Sequence, residues 1–157
     1  MLLRFATPED AETLHAMIVD LAVYEKEPDA VEATPSQLRA QLQQSPPPFQ
    51  ALIGEVEGTP VAFALFFHNY STWRGKPGLY LEDLYVMPAF RGRGFGKALL
   101  HKLAEIAVER GCARMEWAVL TWNTPAIEFY KSIGAKCVSG WNIYRIEPST
   151  LVRNTTD

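Results

Sequence analysis

Apolar positions along the chain follow two periodicities, and their order predicts a mixed α/β protein. A short apolar segment from Leu2 to Phe5 suits a first strand, and the capping sequence that begins at Thr7 precedes apolar residues at helical spacing. A capping box at Thr34 to Gln37 predicts the start of a second helix. The pattern then changes to strands, which predicts a hairpin formed by residues 49–55 and 60–70.

The second half of the chain continues the alternation of strands and helices. This order predicts α/β architecture with helices on both faces of one sheet, a single domain over residues 1–151 and a dispensable tail over 152–157. The remaining predicted elements are a strand at 79–86, a helix that ends near Arg110, a strand at 114–120, a helix from Thr124, and closing strands at 135–138 and 142–146.

Composition narrows the classes of function. With 157 residues, a net charge of −3 and 48% apolar residues, the chain resembles an ordinary globular domain. The acidic balance argues against a nucleic-acid partner, because phosphate contacts require a basic face. No apolar run approaches the ~20 residues of a membrane helix and no signal-peptide core is present, so we expect a cytoplasmic protein with no membrane partner. The cysteines and histidines form no metal motif, so no metal is expected.

The turn between the strand at 79–86 and the following helix carries glycine at every second position, Gly92, Gly94 and Gly96. Glycine permits left-handed or close-approach backbone conformations, so several N–H groups can point at one anion. The helix that follows adds the positive end of its dipole. These features predict a site for a phosphate or pyrophosphate, with a ligand-free glycine turn as the structural alternative.

Two familiar phosphate motifs are excluded at this turn. A nucleotide-hydrolase loop would require glycine where Arg91 stands and serine or threonine where Ala98 stands. The dinucleotide fingerprint would require glycine at the position of Lys97. The turn therefore reads R-G-x-G-x-G, without either known nucleotide motif.

Two longer segments resemble the acetyl-CoA motifs of the GNAT acyltransferase superfamily. They are L-E-D-L-Y-V-M-P-x-x-R-G-R-G-F-G at residues 81–96 and W-N-T-P-A-I-E-F-Y-K-S-I-G-A at residues 122–135. Tyr24-Glu25 and Gly140-Trp141 further resemble the spermidine/spermine acetyltransferase branch, which includes thialysine acetyltransferases. The resemblance spans roughly residues 3–148.

The resemblance implies a fold, a reaction and an assembly. It implies a GNAT fold, with a mixed, mostly antiparallel sheet of six to seven strands and a splayed, bulged central strand. It also implies transfer of an acetyl group from acetyl-CoA to a primary amine of a small cationic substrate, which is a polyamine, a diamine or a thialysine-like amino acid. The resembling enzymes are homodimers that use no metal.

Acetyl transfer to an amine requires two proton transfers. The amine must lose a proton, and Glu82 on the strand before the turn is the candidate base, by its position and by the resemblance, with a structural ion pair as the alternative. The leaving thiolate needs a proton, and the resemblance assigns this to Tyr130, which from spacing alone is equally a core aromatic. Tyr24, Glu25 and Asp83 match positions near the amine channel, although a regular strand would turn Asp83 away from Glu82.

The remaining expected site residues bind the cofactor. The resemblance implies that main-chain groups of the strand bind the thioester and pantetheine arm, that the glycine turn binds the pyrophosphate, and that a second segment completes the site. The three sets are Leu84, Tyr85 and Val86; Arg91, Gly92, Arg93, Gly94, Phe95, Gly96 and Lys97; and Asn123, Thr124, Pro125, Ala126 and Lys131.

The acceptor is less constrained than the cofactor. Polyamine enzymes of the resembling branch carry two glutamates before the late Gly-Trp, whereas this chain has Cys137-Val138-Ser139 before Gly140-Trp141. Diamines, thialysine-like amino acids and other small amines therefore remain alternatives to long polyamines. A protein-lysine acetyltransferase and a non-catalytic acyl-CoA-binding regulator are the alternative functions.

Overall fold

The computed structural model describes residues 1–154, and the chain divides into two units. The first unit spans Met1–Ala118 and the second begins at Val119. Each unit is described by itself below. The last three residues of the expected tail lie outside the described residues.

The first unit contains one five-stranded sheet in the order β1-β2-β3-β4-β5. The strands from β1 to β4 pair antiparallel, and β5 pairs parallel with β4, which confirms a mixed, mostly antiparallel sheet. The elements are β1 Leu2–Phe5, α1 Ala11–Tyr24, α2 Pro35–Leu42, β2 Gln50–Val56, β3 Thr59–Ser71, β4 Lys76–Val86, α3 Phe95–Glu109 and β5 Met115–Glu116, with 3-10 turns at Pro8–Asp10 and Pro88–Phe90.

Helices cover both faces of this sheet. Successive residues of a strand point to opposite faces, so Ala51 and Ile53 face one layer while Leu52 faces the other. The helix α3 contacts β2, β3 and β4 on the second face. The first face forms a cluster in which α1 packs on the sheet through Leu14, Met17, Leu21, Ala51, Ile53, Phe63, Leu65 and Tyr85.

A buried ionic network joins the N-terminal strand to the first helix. Arg4 in β1 donates from Nη1 and Nη2 to the two carboxylate oxygens of Asp10 at 2.8 and 2.7 Å, and from Nε to Glu55 in β2 at 2.8 Å. Asp10 is 8% exposed and also accepts from the Thr7 N–H at 2.7 Å. The Arg4 guanidinium lowers the pKa of Asp10 to about 2.

A β-bulge interrupts β4 at Glu82. Leu65 in β3 pairs with Asp83, but the next residue of β3, Phe66, pairs with Leu81, so Glu82 has no cross-strand partner. An extra residue shifts the alternation of side chains along a strand. Asp83 therefore shares the α1 face with Leu65, and Leu81 shares the opposite face with Phe66.

The bulge also limits the pairing of β5. β4 and β5 pair at two positions only, Leu79 with Met115 and Tyr80 with Glu116. The predicted strand over residues 114–120 is therefore wrong in length. Because a bulge bends and twists its strand, the edge of β4 does not continue straight beyond Tyr80 for β5 to follow.

The second unit contains α4, Thr124–Ser132, and α5, Pro148–Asn154. The predicted strands at 135–138 and 142–146 are wrong, so the described residues do not form a sheet of six to seven strands. An apolar alternation becomes a strand only beside a partner that shares its backbone hydrogen bonds, and the described part of this unit contains no other strand. The helix α5 crosses the predicted start of the tail at residue 152.

The tryptophans lie outside the cores. Trp73, Trp122 and Trp141 are exposed, and Trp117 is half-buried. Fully buried aromatic volume in the first unit comes instead from Phe63 and Phe66. None of the helices within residues 1–154 combines the length and apolar character that a bilayer-spanning helix requires.

We predict that Asp10→Asn lowers the free energy of unfolding at neutral pH by about 1–3 kcal/mol, because it removes the charge that Arg4 pairs with in a nearly buried position. Since the folded pKa of Asp10 lies below its usual 3.8, this stabilisation is present above pH ~4 and is lost as the pH falls through ~2. Urea unfolding followed by circular dichroism measures the difference.

The matched control is Glu12→Gln, which neutralises a carboxylate paired with Arg39 on the surface. We expect no measurable change in the unfolding curve of this variant, because an exposed pair is screened by solvent. Equal stability of Asp10→Asn and the unchanged protein at pH ~7 would contradict a stabilising role for the network.

Candidate active site

The turn after β4 has the backbone conformation that the glycine spacing predicts. Gly92 and Gly94 have φ angles of 72° and 81°, in the left-handed region that disfavours other residues. A Cβ at either position would meet no atom within 4 Å. Glycine is therefore required here by backbone conformation, and the space in front of the turn is open. Gly96 differs, because it lies inside α3.

The N-terminus of α3 offers unpaired N–H groups at this open face. The first hydrogen bond of the helix runs from the Ala98 N–H to the Gly94 carbonyl at 3.0 Å. The N–H groups of Phe95, Gly96 and Lys97 therefore have no acceptor inside the helix. Together with the helix dipole they form a site that fits a phosphate group.

Aromatic and basic side chains flank the turn. Phe90 and Phe95 stack with ring centroids 6.4 Å apart and an interplanar angle of 22°. The guanidinium carbon of Arg93 lies 5.5 and 5.3 Å from their ring centroids. An open groove along α3 continues from the turn and is lined by Lys97 and Lys102 among others. This side of the turn carries the positive charge that an anionic ligand requires.

The side chain of Arg91 contacts α1 and β4 instead. Its guanidinium carbon lies 4.7 Å from the ring centroid of Tyr24 and 5.7 Å from that of Tyr85. Its Nε donates to the carbonyl oxygen of Val86 at 2.8 Å, and its backbone N–H donates to Pro88 at 3.2 Å. Arg91 thus connects the end of β4 to the last residue of α1.

Three carboxylates gather where α1 ends beside the bulge. The pKa of Asp83 is raised to about 6, first by burial and then by the charges of Glu82 and Glu25. Burial also raises the pKa of Glu25, the residue that caps α1. We call Glu25, Glu82 and Asp83 the acidic cluster. Its negative charge and partial burial suit a cationic group.

The two neighbouring carboxylates of β4 differ in burial. Glu82 is exposed, and Asp83 is half-buried. On a regular strand the two side chains would face opposite ways. The bulge supplies the irregularity that the sequence reasoning required for Asp83 to share the site with Glu82.

The second unit places the other expected residues on one short helix. Asn123 is buried and caps α4, where its Oδ1 accepts from the Ala126 N–H at 3.4 Å. Tyr130 is half-buried, and its ring centroid lies 5.5 Å from that of Phe129. Lys131 pairs with Glu128 at 2.9 Å on the exposed surface. Thr124 and Pro125 form the first turn of the same helix.

Sequence reasoning missed two neighbours of the site. Asp20 accepts a hydrogen bond from the phenol of Tyr85, whose pKa is raised first by burial and then by the charge of Asp20. Its position four residues before Tyr24 puts both on one face of α1, a signal that was available. Phe90 was also missed, and its stacking on Phe95 has no signature in the spacing.

The described residues contain no group of three histidine, cysteine, aspartate or glutamate side chains that could hold a metal ion. The site instead combines a helix start that fits a phosphate group with acidic groups on the strand that precedes it. The model of the Acetyltransferase (GNAT) family matches residues 11–135, and the chain belongs to this family.

Several similar proteins are named as acetyltransferases of amines. A thialysine N-epsilon-acetyltransferase of Sus scrofa is 37% identical over 96% of this chain and 95% of its own length. An L-ornithine N5-acetyltransferase of Arabidopsis thaliana is 30% identical over 95% of this chain and 85% of its own length. A human spermidine/spermine N(1)-acetyltransferase-like protein 1 is 34% identical over 96% of this chain, which spans 23% of that protein. The chain is an amine N-acetyltransferase.

A solved structure shares the fold. An integron cassette protein from the mobile metagenome of V. cholerae superimposes with a TM-score of 0.80, covering 99% of this chain and 98% of its own. Its sequence identity of 24% supports a likeness of fold alone.

We predict that Asp83→Asn stabilises the folded protein at neutral pH by about 1–3 kcal/mol, because the folded state holds this carboxylate half-buried beside two others. The folded pKa of Asp83 is about 6, above its usual 3.8. Stability is therefore unaffected by this group below pH ~4, falls as the pH rises from ~4 to ~6, and stays at the lower level above ~6. Urea unfolding across this range measures the gain.

The matched control is Asp29→Asn, which removes a carboxylate from the exposed loop after α1. We expect the difference between Asp83→Asn and the unchanged protein to appear between pH ~4 and ~6, and this control to show no such step. A destabilised Asp83→Asn at pH ~7 would mean that the carboxylate makes a stabilising contact in the folded state.

Proposed function

We propose that this protein transfers the acetyl group of acetyl-CoA to a primary amine of a small cationic substrate. The observation that supports the proposal is the position of the acidic cluster: Glu82 and Asp83 lie on the strand that leads directly into the glycine turn, and Glu25 lies beside them at the end of α1. The names of the thialysine and ornithine relatives favour the side-chain amine of a basic amino acid, with diamines and polyamines as further members of the class.

The acidic cluster suits an acceptor with more than one charge. In this proposal, Asp83 and Glu25 hold the ammonium or a second cationic group of the acceptor, and Tyr24 lines the channel. A cation beside Asp83 would offset the repulsion from Glu82 and Glu25, so binding should lower the raised pKa of Asp83. Substrate charge and enzyme charge would then compensate each other.

Glu82 is the proposed base. At neutral pH an amine with a pKa near ~10.4 is almost wholly protonated, so removal of its proton requires roughly 4–5 kcal/mol. Glu82 is the exposed member of the acidic cluster and lies at the bulge of β4, where solvent reaches its carboxylate. It would accept the amine proton directly or through one water and release it to solvent.

The remaining proposed roles concern acetyl-CoA, and they are given separately for the residues of each unit. Acetyl-CoA supplies the acetyl group as a thioester. The turn from Gly92 to Lys97 would hold its pyrophosphate, and main-chain groups of Leu84, Tyr85 and Val86 would orient the thioester arm. Tyr130 would donate a proton to the leaving sulfur. The second-unit set Asn123, Thr124, Pro125, Ala126 and Lys131 is proposed to complete cofactor binding.

The homodimer that the resemblance implies is part of the proposal. Large apolar side chains of the second unit, among them Val138, Trp141, Ile143 and Tyr144, are exposed. Apolar groups grouped in one segment favour burial against a partner surface. A second copy of this chain is the partner we propose.

We predict turnover with a small primary amine and acetyl-CoA. The panel contains thialysine, L-ornithine, L-lysine, a diamine, a monoamine of similar length, spermidine and a lysine-containing peptide, and thiol release measures the rate. The acidic cluster should favour small acceptors with two amino groups, by about 10-fold or more in kcat/KM over a monoamine of similar length, since a second charge adds an ionic contact. Turnover with the peptide alone would indicate a protein acetyltransferase, and turnover with no amine would refute the proposal.

We predict distinct kinetic losses for the two proton-transfer residues. Tyr130→Phe should slow the chemical step by about 10²–10⁴-fold with little change in coenzyme A affinity, because only the donated proton is lost. Glu82→Gln should lose most activity near neutral pH and less as the pH approaches ~10, where the free amine needs no base. Pre-steady-state rates and the pH profile of kcat/KM measure these effects.

Two exposed positions provide matched controls. Tyr70→Phe removes an exposed phenol from β3, and Glu57→Gln removes a carboxylate from the turn between β2 and β3. Both variants should retain the activity of the unchanged protein. A uniform loss at every pH would reject Glu82 as the base, and unchanged single-turnover rates in Tyr130→Phe would reject Tyr130 as the acid.

A further inference from the structure

We propose that Arg91 is a positioning residue for the amine acceptor, acting through Tyr24, although it belongs to the glycine turn expected to hold the pyrophosphate. This inference rests on the proposed function. The motif R-G-x-G-x-G places Arg91 beside the proposed phosphate site, but the side chain of Arg91 contacts the end of α1. The turn would then connect the cofactor and the acceptor through one guanidinium group.

The contacts of Arg91 are already directed towards the acceptor side. Its Nε bonds to the Val86 carbonyl at 2.8 Å and its guanidinium carbon lies over the Tyr24 ring at 4.7 Å. Its backbone N–H is also bonded, to Pro88 at 3.2 Å, so it is not one of the unpaired donors at the helix start. Two donors of Arg91, Nε and the backbone N–H, therefore already have acceptors in the first unit, and the face of its guanidinium lies over the Tyr24 ring.

The planar shape of the guanidinium explains why these contacts position Tyr24. One face of the group can stack on an aromatic ring while its edge donates a hydrogen bond in the same plane. The hydrogen bond to the Val86 carbonyl holds the edge of the guanidinium at the end of β4, and the stacked face of the guanidinium holds the Tyr24 ring at the last turn of α1. Glu25 follows Tyr24 directly, so the same contact sets where the acidic cluster receives its third carboxylate.

Arg93 provides an internal comparison, because it occupies the same turn with different neighbours. Its guanidinium lies over Phe90 and Phe95, beside the unpaired N–H groups of α3. The rings beside Arg91 are different ones, those of Tyr24 and Tyr85. The two arginines therefore separate the two functions of the turn: Arg93 on the phosphate side and Arg91 on the acceptor side.

The experiment measures coenzyme A affinity and amine kinetics separately in Arg91→Ala, Arg91→Lys and Arg93→Ala. Calorimetry with coenzyme A gives Kd, and steady-state assays with the best amine of the panel give KM and kcat. For both Arg91 variants we expect the amine kcat/KM to fall about 10-fold while the coenzyme A Kd changes less than about 2-fold. For Arg93→Ala we expect the larger change in coenzyme A Kd.

A double-mutant cycle tests whether Arg91 acts through Tyr24. Tyr24→Phe keeps the ring, so Arg91→Ala should cause the same loss there as in the unchanged protein. Tyr24→Leu removes the ring, so adding Arg91→Ala should cause little further loss. A simple weakening of the fold would give equal losses in both backgrounds, and therefore the cycle separates positioning from stability.

Two outcomes would overturn the inference. The first is a coenzyme A Kd that rises at least as much in Arg91→Ala as in Arg93→Ala with an unchanged amine KM, which would make Arg91 a pyrophosphate ligand. The second is full amine kinetics in Arg91→Lys, which would show that charge suffices without the planar stack. Absence of turnover in the unchanged protein would instead refute the proposed function, so the two failures are distinguishable.

Discussion

The register of β3 and β4 shifts by one residue at Glu82, and the arrangement of the site depends on that shift. It leaves Glu82 outside the ladder and turns Asp83 to the face that α1 covers. It also coincides with the end of the pairing between β4 and β5. One extra residue thus opens the strand edge next to the phosphate-binding turn and assembles carboxylates from two elements.

The acidic cluster places binding and chemistry in opposition. Carboxylates that attract a cationic amine also stabilise its protonated form, which is the unreactive form. Asp83 is central to this conflict, because burial and the charges of Glu82 and Glu25 raise its pKa to about 6. In the proposed function, a cation beside Asp83 would relieve the repulsion among the three carboxylates.

Much of the first unit was predictable from local chemistry. The capping box at Thr34 and the left-handed glycine Gly111 after α3 mark helix ends as expected, because caps depend on a few adjacent residues. The left-handed glycines of the turn were predictable for the same reason. The bulge and the side-chain direction of Arg91 were not, since both depend on register and on packing against α1, which residue spacing does not encode.

The segment over residues 142–146 shows what the spacing of residues does not predict. It has the apolar alternation of a strand. A strand also requires a second strand beside it to share backbone hydrogen bonds, and alternation within one segment carries no information about that partner. Spacing alone also cannot separate a catalytic phenol from a packed one at Tyr130. The expectation of a catalytic phenol there rests on the family resemblance. The helix itself is confirmed, with its cap at Asn123.

The surface location of the tryptophans determines what can be learned from the protein in solution by fluorescence. Indole emission reports a change of surroundings, and exposed indoles such as Trp73 and Trp141 are already in water in the folded state. In a single chain these two indoles should contribute little to the spectral shift on unfolding, which would come mainly from the half-buried Trp117. The same indoles would respond strongly when a ligand or another chain covers them, which makes the intrinsic emission of this protein a probe of association.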